Sequence, residues 1–146
     1  MKTVVLISGG KTKQDDSDIA EHMYQGELFK LSLTYAKSLL PDAIYILSAK
    51  YGLLDLSEHI EPYEKSLKYM SLPDRRDWAA RVKNRLTVLA SLSEDRFIFL
   101  TGQVYSQYLA QYMQRYECPL MGSQFGRQLA WLREKINDES PIRQAQ

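Results

Sequence analysis

Glycines and lysines follow the first apolar run of the chain, in the stretch ISGGKTK. Gly9 and Gly10 can turn the backbone sharply, and Lys11 and Lys13 can offer ammonium donors to phosphate oxygens. A phosphate loop for nucleoside triphosphates would need another glycine where Val5 stands, and a helix starting directly after the loop. The stretch therefore predicts a turn with two basic residues at a ligand edge; solvated surface lysines are the alternative.

A second group of chemically capable residues lies in the stretches ILSAKYGLL and HIEPYEKSL. The first contains Ser48, Lys50, Tyr51 and Gly52, and the second contains Tyr63 directly after a proline. Tyrosine rings can stack on a nucleobase while their hydroxyls bond its polar edge. We expect these residues to bind substrate; packing of a long loop is the alternative, above all for its apolar side chains.

Acidic residues near these stretches are candidates for hydrolysis of an N-glycosidic bond. This reaction needs a carboxylate that stabilises the sugar cation or activates water, and a donor for the departing base. We rank Glu61 first because it adjoins the rigid Pro62–Tyr63 pair, then Asp16, then Asp55. Solvated loop carboxylates are the alternative for each of them. Tyr105, in a third polar segment, is a further candidate for stacking or donating.

The elements that must position these residues alternate along the chain. Continuous apolar runs predict buried strands, and apolar residues at helical spacing predict helices. Predicted strands span residues 2–8, 43–48 and 96–101, with a short fourth at 117–121; predicted helices span 17–23, 27–40, 75–92, 104–116 and 124–137, and Ser17 or Asp16 is the expected cap of the first helix. Residues 49–74 are predicted to be irregular.

This alternation indicates an α/β fold with a small, about four-stranded parallel sheet covered on both faces, in a single three-layer domain over residues 1–138. Residues 139–146 are predicted to form a flexible tail. Right-handed crossovers bring every loop that follows a strand to one edge of the sheet, where such folds bind ligands. We therefore expect the loops at 9–17, 49–63 and 102–105 to meet.

Several motifs together resemble a bacterial and phage family of unknown function. They are S-G-G-K-T-K after the first strand, Tyr24-x-Gly26-x-x-Phe29, L-S-A-K-Y-G-L-L, I-E-P-Y, and M-G-x-x-x-G-R-Q-L-A-W-L near the carboxyl end. The resemblance covers nearly the whole chain. Tyr-Gly-Leu-Leu followed by Pro-Tyr is also similar to the YaaA family of peroxide-stress proteins, which are linked to DNA protection.

Both groups are similar in architecture to the uracil-DNA glycosylase superfamily, and this implies a uracil-DNA-glycosylase-like fold whose loops receive a nucleobase. That superfamily is also related to domains in enzymes that modify deazaguanine bases. Two departures limit the transfer of mechanism. The first family motif usually reads Ser-Cys-Gly-x-x-Lys, and Gly9 stands where the cysteine would be; the histidine-bearing loop of true uracil glycosylases is not recognisable.

The amino-acid composition leaves most classes of binding partner possible, but it excludes a disulfide framework and a zinc cluster. Lys plus Arg is 19 and Asp plus Glu is 18, so global charge does not point to a polyanion, although a local basic patch would suffice. The lone Cys118 and two histidines give no disulfide framework and no zinc cluster. No leader or membrane-length apolar run is recognised, so we expect a cytoplasmic protein with no metal, no cofactor and no membrane partner.

These observations predict a DNA glycosylase-like protein that recognises a nucleobase in DNA. If it is an enzyme, it excises that base. The base could be a modified one used in the conflict between phage and host. Its partner would be nucleic acid, in the first place DNA, or a nucleotide. Three alternatives stay open: a nucleic-acid or nucleotide-binding module without catalysis, glycosyl transfer or hydrolysis on a small nucleotide, and a scaffold for a protein partner.

Overall fold

A computed structural model describes residues 1–138 of the chain. The strands are β1 (Thr3–Ser8), β2 (Asp18–Ile19), β3 (Ala43–Ser48), β4 (Gly52–Asp55), β5 (His59–Ile60), β6 (Arg96–Leu100) and β7 (Arg115–Glu117). The α-helices are α1 (Ala20–Met23), α2 (Glu27–Ser38), α3 (Leu72–Leu89), α4 (Gln103–Leu109) and α5 (Phe125–Asp138), and 3-10 turns lie at Leu67–Tyr69 and Ala110–Tyr112. The tail predicted at 139–146 lies outside the described residues.

The central sheet has five strands in the order β4-β3-β1-β6-β7. β3, β1, β6 and β7 are parallel, and β4 is antiparallel to β3. The prediction of a parallel α/β sheet is therefore confirmed for four strands, while the total of about four is wrong by one. The middle strand β1 pairs Val5 with Ile44 on one side and with Ile98 on the other.

Two apolar layers cover the sheet because successive side chains of β1 point to opposite faces. Val4 and Leu6 join a buried cluster with Trp78 of α3, Leu109 of α4 and their neighbours. Val5 and Ile7 join a second cluster that includes Phe29 of α2 and Leu132 of α5. The predicted three-layer arrangement is thus present, with α2 and α5 on one face and α3 and α4 on the other.

The segment predicted to be irregular, residues 49–74, contains β4, the additional strand of the central sheet. The chain turns back after β3 through Gly52, whose φ of +78° is accessible to glycine at little cost. β4 then pairs with β3 from Ser48 opposite Gly52 to Tyr45 opposite Asp55. Leu53 and Leu54 are both buried, so the strand has no apolar–polar alternation that would reveal it in the sequence.

Helix α3 begins three residues earlier than predicted and ends at Leu89 instead of residue 92. The Ser71 side chain accepts a hydrogen bond from the Asp74 N–H at 3.2 Å, and Pro73 occupies the first turn, where its missing N–H costs nothing. The sequence prediction treated 71–74 as part of the loop, although this cap signal was present.

The first predicted helix is shorter than expected. Residues 18–19 form β2, which pairs with β5, and α1 starts only at Ala20. Its cap position is Ile19, without a side-chain cap bond, so capping by Ser17 or Asp16 is wrong. Long-range pairing with the 59–60 segment outweighs the local capping preference here.

The region after α4 also differs from its prediction. The helix expected at 104–116 ends at Leu109, and the 3-10 turn at Ala110–Tyr112 leads into β7 at Arg115–Glu117. The fourth parallel strand therefore lies before the predicted 117–121. Its pairing with β6, from Arg96 opposite Arg115 to Ile98 opposite Glu117, sets this position.

No helix within residues 1–138 is both long enough and apolar enough to cross a membrane.

Candidate functional site

The carboxyl edge of the sheet has the topology of a ligand site. β1 lies between β3 and β6, and the helices that follow β1 and β3 cover opposite faces. A crevice forms where the chain leaves neighbouring strands in opposite directions. Lys13, from the loop after β1, lies over Tyr63, from the segment after β4 and β5, so the first two predicted loops do meet.

A chain of three hydroxyl groups occupies this edge. Tyr63 Oη lies 2.7 Å from Ser48 Oγ and 2.8 Å from Tyr24 Oη. The Tyr51 backbone N–H donates to Ser48 Oγ at 3.0 Å. Ser48 and Tyr24 are each 1% exposed, so the Tyr63 hydroxyl is the polar partner that allows both to be buried.

Proton counting shows that this chain has one donor to spare. Three hydroxyls carry three protons, and the two hydrogen bonds between them use two. If the two bonds run head to tail, Ser48 or Tyr24 keeps the third proton; if Ser48 and Tyr24 both donate to Tyr63 Oη, the less buried Tyr63 hydroxyl keeps it for a further acceptor. A carbonyl or ring nitrogen of a bound base is an acceptor of this kind.

The Tyr63 ring is held by two other tyrosines and covered by a cation. Tyr24 and Tyr51 contact it edge-to-face, with ring centroids 6.4 Å and 5.6 Å away. Lys13 Nζ lies 4.2 Å from the Tyr63 centroid and donates to the Lys11 carbonyl at 3.1 Å. Burial lowers the pKa of Lys13, and the negative charge of Glu64 partly offsets this. The ammonium is therefore less solvated than an ordinary surface lysine.

The Gly9 position explains how Tyr24 enters the site. A Cβ atom built on Gly9 would lie 2.2 Å from Tyr24 Cε1, far inside the van der Waals distance. Gly10 has a φ of +92°, which only glycine adopts readily. Gly9 thus provides space for a ring, and Gly10 provides the turn. A cysteine at position 9 would not fit beside Tyr24 in this arrangement.

The phenols of this cluster are donors at neutral pH. Burial raises the pKa of Tyr63, and the neighbouring Tyr24 raises it further. Burial, together with the proximity of Tyr63, raises the pKa of Tyr105 to about 12. Burial also raises the pKa of Tyr24. These hydroxyls therefore stay protonated and can offer hydrogen bonds, but they do not supply a phenolate base.

The highest-ranked acid, Glu61, lies at the rim of the cluster. Its backbone N–H donates to Tyr51 Oη at 3.2 Å, and Tyr51 Oη lies 3.4 Å from the Glu61 carbonyl. The Glu61 residue itself is exposed. Tyr51 in turn lies beneath the Lys50 ammonium, 5.1 Å from its ring centroid. The Tyr51 side chain therefore connects a rim lysine and the backbone of Glu61 to the Tyr63 cluster.

The other predicted acids are placed differently. Asp55 pairs with Tyr45, three residue pairs before the carboxyl end of β3, and it is therefore about 10 Å from that edge. The antiparallel course of β4 carries this predicted catalytic residue away from the edge where the other candidates meet. Asp16 is exposed, and its backbone carbonyl accepts from the Gln14 side chain at 3.3 Å.

The predicted binding residues divide into four groups. The edge cluster contains Gly9, Gly10, Lys13, Ser48, Tyr51 and Tyr63; Tyr105 adjoins it through Trp78; and Lys11 and Lys50 are exposed at its rim. Gly52 has a structural role, since it makes the turn into β4 and its α-carbon faces Val82.

Two residues of the site were missed as functional candidates. Tyr24 lies in the Tyr24-x-Gly26-x-x-Phe29 motif, and its burial next to Gly9 gives it a role in the site. Trp78 lies on the buried face of α3; its indole N–H donates to the Ser48 carbonyl at 2.8 Å, and its ring centroid lies 5.8 Å from that of Tyr105. Its position in the motif was a usable signal for Tyr24, whereas Trp78 is indistinguishable from core in the sequence.

The described part of the chain contains no cluster of side chains suited to bind a metal ion. No group of three or more His, Cys, Asp or Glu side chains between residues 1 and 138 is arranged to hold an ion.

Comparison with known proteins gives one match. A family model described as a family of unknown function, DUF6884, matches residues 4–134. No curated protein and no solved structure matches the chain. The match covers nearly all of the described residues, and it agrees with the resemblance to a family of unknown function over nearly the whole chain.

Proposed function

We propose that this chain, which belongs to the DUF6884 family of unknown function, binds a nucleotide, or a nucleobase turned out of DNA, at the carboxyl edge of its sheet. The observation that carries the proposal is the Lys13 ammonium 4.2 Å from the ring of Tyr63, whose hydroxyl belongs to the Ser48–Tyr63–Tyr24 chain. One side-chain cluster thus contains a cationic hydrogen-bond donor for phosphate oxygens, an aromatic ring for stacking, and hydroxyl groups for the polar edge of a base.

Each part of a nucleotide has a suitable partner there. Phosphate oxygens accept from Lys13, with the exposed Lys11 and Lys50 at the rim as additional cations. The base stacks on tyrosine, and its polar edge accepts the spare hydroxyl proton. In DNA, extrusion of the base costs a few kcal/mol, and these contacts would have to offset that cost.

Binding of single-stranded DNA oligonucleotides at several salt concentrations tests this proposal. We expect Lys13→Ala to weaken binding and to make the slope of log K against log salt shallower by about 1, as for the loss of one phosphate contact. Lys2→Ala is the matched control, because it removes the same charge at the opposite edge of the sheet. Equal effects of the two substitutions, or no salt-dependent binding by the unsubstituted protein, would count against the proposal.

We propose base excision as a second candidate function, favoured by the hydrogen bond that holds the Glu61 backbone N–H to Tyr51 Oη at the rim of the site. The Glu61 carboxylate would take a proton from a water molecule, whose oxygen adds to C1′ of the sugar as the C–N bond breaks. The bonding electrons leave with the base, which a tyrosine hydroxyl stabilises by a hydrogen bond. The base then takes up the proton from Glu61 through solvent, so that free base and an abasic sugar result and both side chains return to their starting state.

Formation of abasic sites in unmodified, uracil-containing and hypermodified DNA tests this chemistry. We expect Glu61→Gln to lower the rate at least about 100-fold while DNA binding persists. Asp55→Asn is the control and should leave the rate unchanged, because Asp55 lies away from the edge. Purified protein that leaves all three kinds of DNA intact would rule out excision of these bases and leave binding as the function.

A further inference from the structure

We propose that Lys13 is a latch on the Tyr63 ring that a phosphate group opens, so that this edge selects nucleoside phosphates over free bases and nucleosides. The inference rests on the proposed function of the edge and adds the class of ligand and the order of events. Its basis is the place of the Lys13 side chain, which lies where a stacked ring would have to go.

The Tyr63 ring is enclosed on several sides. Tyr24 and Tyr51 lie against it, both at interplanar angles of 79°. The ring also packs against the buried clusters of both layers of the fold. The remaining approach is the one that Lys13 Nζ covers at 4.2 Å, so a nucleobase can stack on Tyr63 only after the ammonium has moved.

The Lys13 ammonium is poorly satisfied where it lies. Of its three N–H donors, one has an acceptor in the described chain, the Lys11 carbonyl at 3.1 Å. Glu64 acts on it electrostatically, but no carboxylate of residues 1–138 lies within salt-bridge distance of its Nζ. A phosphate offers several charged acceptors, and charge-assisted hydrogen bonds to them are stronger than a cation–π contact. Phosphate can therefore draw the ammonium off the ring.

The backbone around Lys13 allows this movement without unfolding the loop. The Gln14 N–H donates to the Met23 carbonyl at 3.0 Å, and the Gln25 N–H donates to the Thr12 carbonyl at 2.8 Å. These two bonds hold the main chain on both sides of Lys13. Its long, flexible side chain can then swing while the loop stays in place.

A neutral nucleoside and its monophosphate should consequently differ in affinity. The nucleoside must displace the ammonium from the ring and offers no charged group in exchange. The monophosphate supplies that group, so removal of the latch and binding of the phosphate occur together. Substitution of Lys13 should therefore act in opposite directions on the two ligands, which a simple phosphate-binding lysine would not do.

Calorimetric titration with the four deoxynucleosides, their 5′-monophosphates and inorganic phosphate tests this. For the best-bound base, we expect Lys13→Ala to tighten nucleoside binding about three- to tenfold, as the strength of a cation–π contact implies, and to weaken the monophosphate about tenfold. Lys13→Met keeps an apolar stem on the ring without the charge, so both ligands should bind weakly. Lys11→Ala should weaken the monophosphate without any gain for the nucleoside.

The outcomes separate the latch from the proposed function. Weaker or unchanged nucleoside binding by Lys13→Ala, with monophosphate binding by the unsubstituted protein intact, would overturn the latch alone. DNA binding without any binding of monophosphates would do the same. Absence of binding to DNA and to all of the small ligands would overturn the function and the latch together. Circular dichroism and urea unfolding of each variant show whether it is folded.

Discussion

The Tyr63 hydroxyl joins two residues from different parts of the fold, Ser48 at the end of β3 and Tyr24 after α1. Each of these partners is almost fully buried, so neither can turn to water if the tyrosine oxygen is lost. The ring also contacts both apolar layers. Tyr63 is therefore a structural support of the site as well as its proposed stacking platform, and both roles have to be measured.

Tyr63→Phe should lower the free energy of unfolding by about 1–3 kcal/mol, because it leaves two buried hydroxyls without their shared partner. Urea unfolding measures this directly. Tyr51→Phe is the comparison, since Tyr51 Oη bonds the backbone of the exposed Glu61, and its loss should cost about 0.5–1 kcal/mol. Equal costs for the two substitutions would contradict the role given to the Tyr63 hydroxyl.

The Gly9–Tyr24 contact gives a second prediction for single residues. Gly9→Ala should cost about 1–3 kcal/mol, because its Cβ would overlap the Tyr24 ring. In a Tyr24→Leu background, which has no atoms at the Cε1 and Cζ positions, the same change should cost clearly less. A double-mutant cycle by urea unfolding measures the coupling, which we expect to be at least about 1 kcal/mol.

Gly126→Ala is the control for this cycle. Gly126 lies in α5, and a Cβ there would meet nothing within 4 Å. The substitution should be neutral or stabilising by up to about 1 kcal/mol, since alanine favours the helix. A Gly9→Ala variant as stable as the unsubstituted protein would mean that Tyr24 can move aside freely.

Among the elements, the β3–β4 hairpin determines the form of the site. The turn after β3 lets the Ser48 side chain accept the Tyr51 N–H, and it carries the chain back along the edge of the sheet. β5 then pairs with β2, which brings the 59–60 segment to the loop after β1. These two pairings bring Tyr63 to Lys13, and the parallel strands alone would not do so.

Asp95 lies at the amino-terminal edge of the sheet, opposite the proposed site, and connects the start of β1 with the segment between α3 and β6. Its carboxylate accepts the Lys2 N–H before β1 and the Ser91 N–H after α3, both at 2.8 Å. Asp95→Ala should lower the free energy of unfolding at pH 7 by about 2 kcal/mol, as expected for hydrogen bonds to a charged acceptor. Glu94→Ala, an equal charge change at the exposed neighbouring residue, should have little effect.

The effect of Asp95 should depend on pH in a defined direction. The backbone bonds from Lys2 and then Ser91 hold the pKa of Asp95 below its ordinary value. Its contribution is therefore complete above about pH 4, the pKa of an unfolded aspartate, and is lost as the pH falls through the lower folded value. Urea unfolding at neutral and acid pH should show the difference from Asp95→Ala shrinking; a constant difference would contradict this cause.

At the scale of the whole molecule, the buried phenols predict a loss of stability in alkali. Tyr24, Tyr63 and Tyr105 have raised pKa values, so their contribution is complete below about pH 10 and is lost as the pH rises through the folded values. Each phenol that ionises only on unfolding contributes a slope of about 1.4 kcal/mol per pH unit. Lys13, whose pKa is lowered, acts in the opposite direction between its folded value and 10.5.

Urea unfolding between neutral pH and about pH 11.5 measures how the free energy of unfolding changes with pH. Above about pH 10 it should fall, because three phenols lower it and only one ammonium raises it. Tyrosinate absorbance should rise in the same transition, because these rings ionise as the fold opens. Tyr63→Phe should make the dependence shallower. Stability that stays level over this range would show that these phenols are not held in their protonated form by the fold.

The sequence by itself determined the layered α/β plan. β3 was predicted with its observed bounds, and β1 and β6 each differ by one terminal residue, because continuous apolar runs in a buried parallel sheet are a local signal. Strand order and the handedness of crossovers predicted that the loop carrying Lys13 lies beside the end of β3, where Ser48 stands, whereas the position of Tyr63 depends on the antiparallel pairings of β4 and β5. The chemistry-bearing residue types at the edge were therefore accessible from the sequence.

Only the tertiary structure decided which of those residues work together. β4 carries Asp55 away from the edge, Tyr24 fills the space that Gly9 leaves, and Lys13 covers the Tyr63 ring. Ser48 and Tyr63 are 15 residues apart, and Tyr24 and Tyr63 are 39 apart. Contacts over such separations depend on how short strands pair and how side chains pack, and local apolar periodicity contains neither.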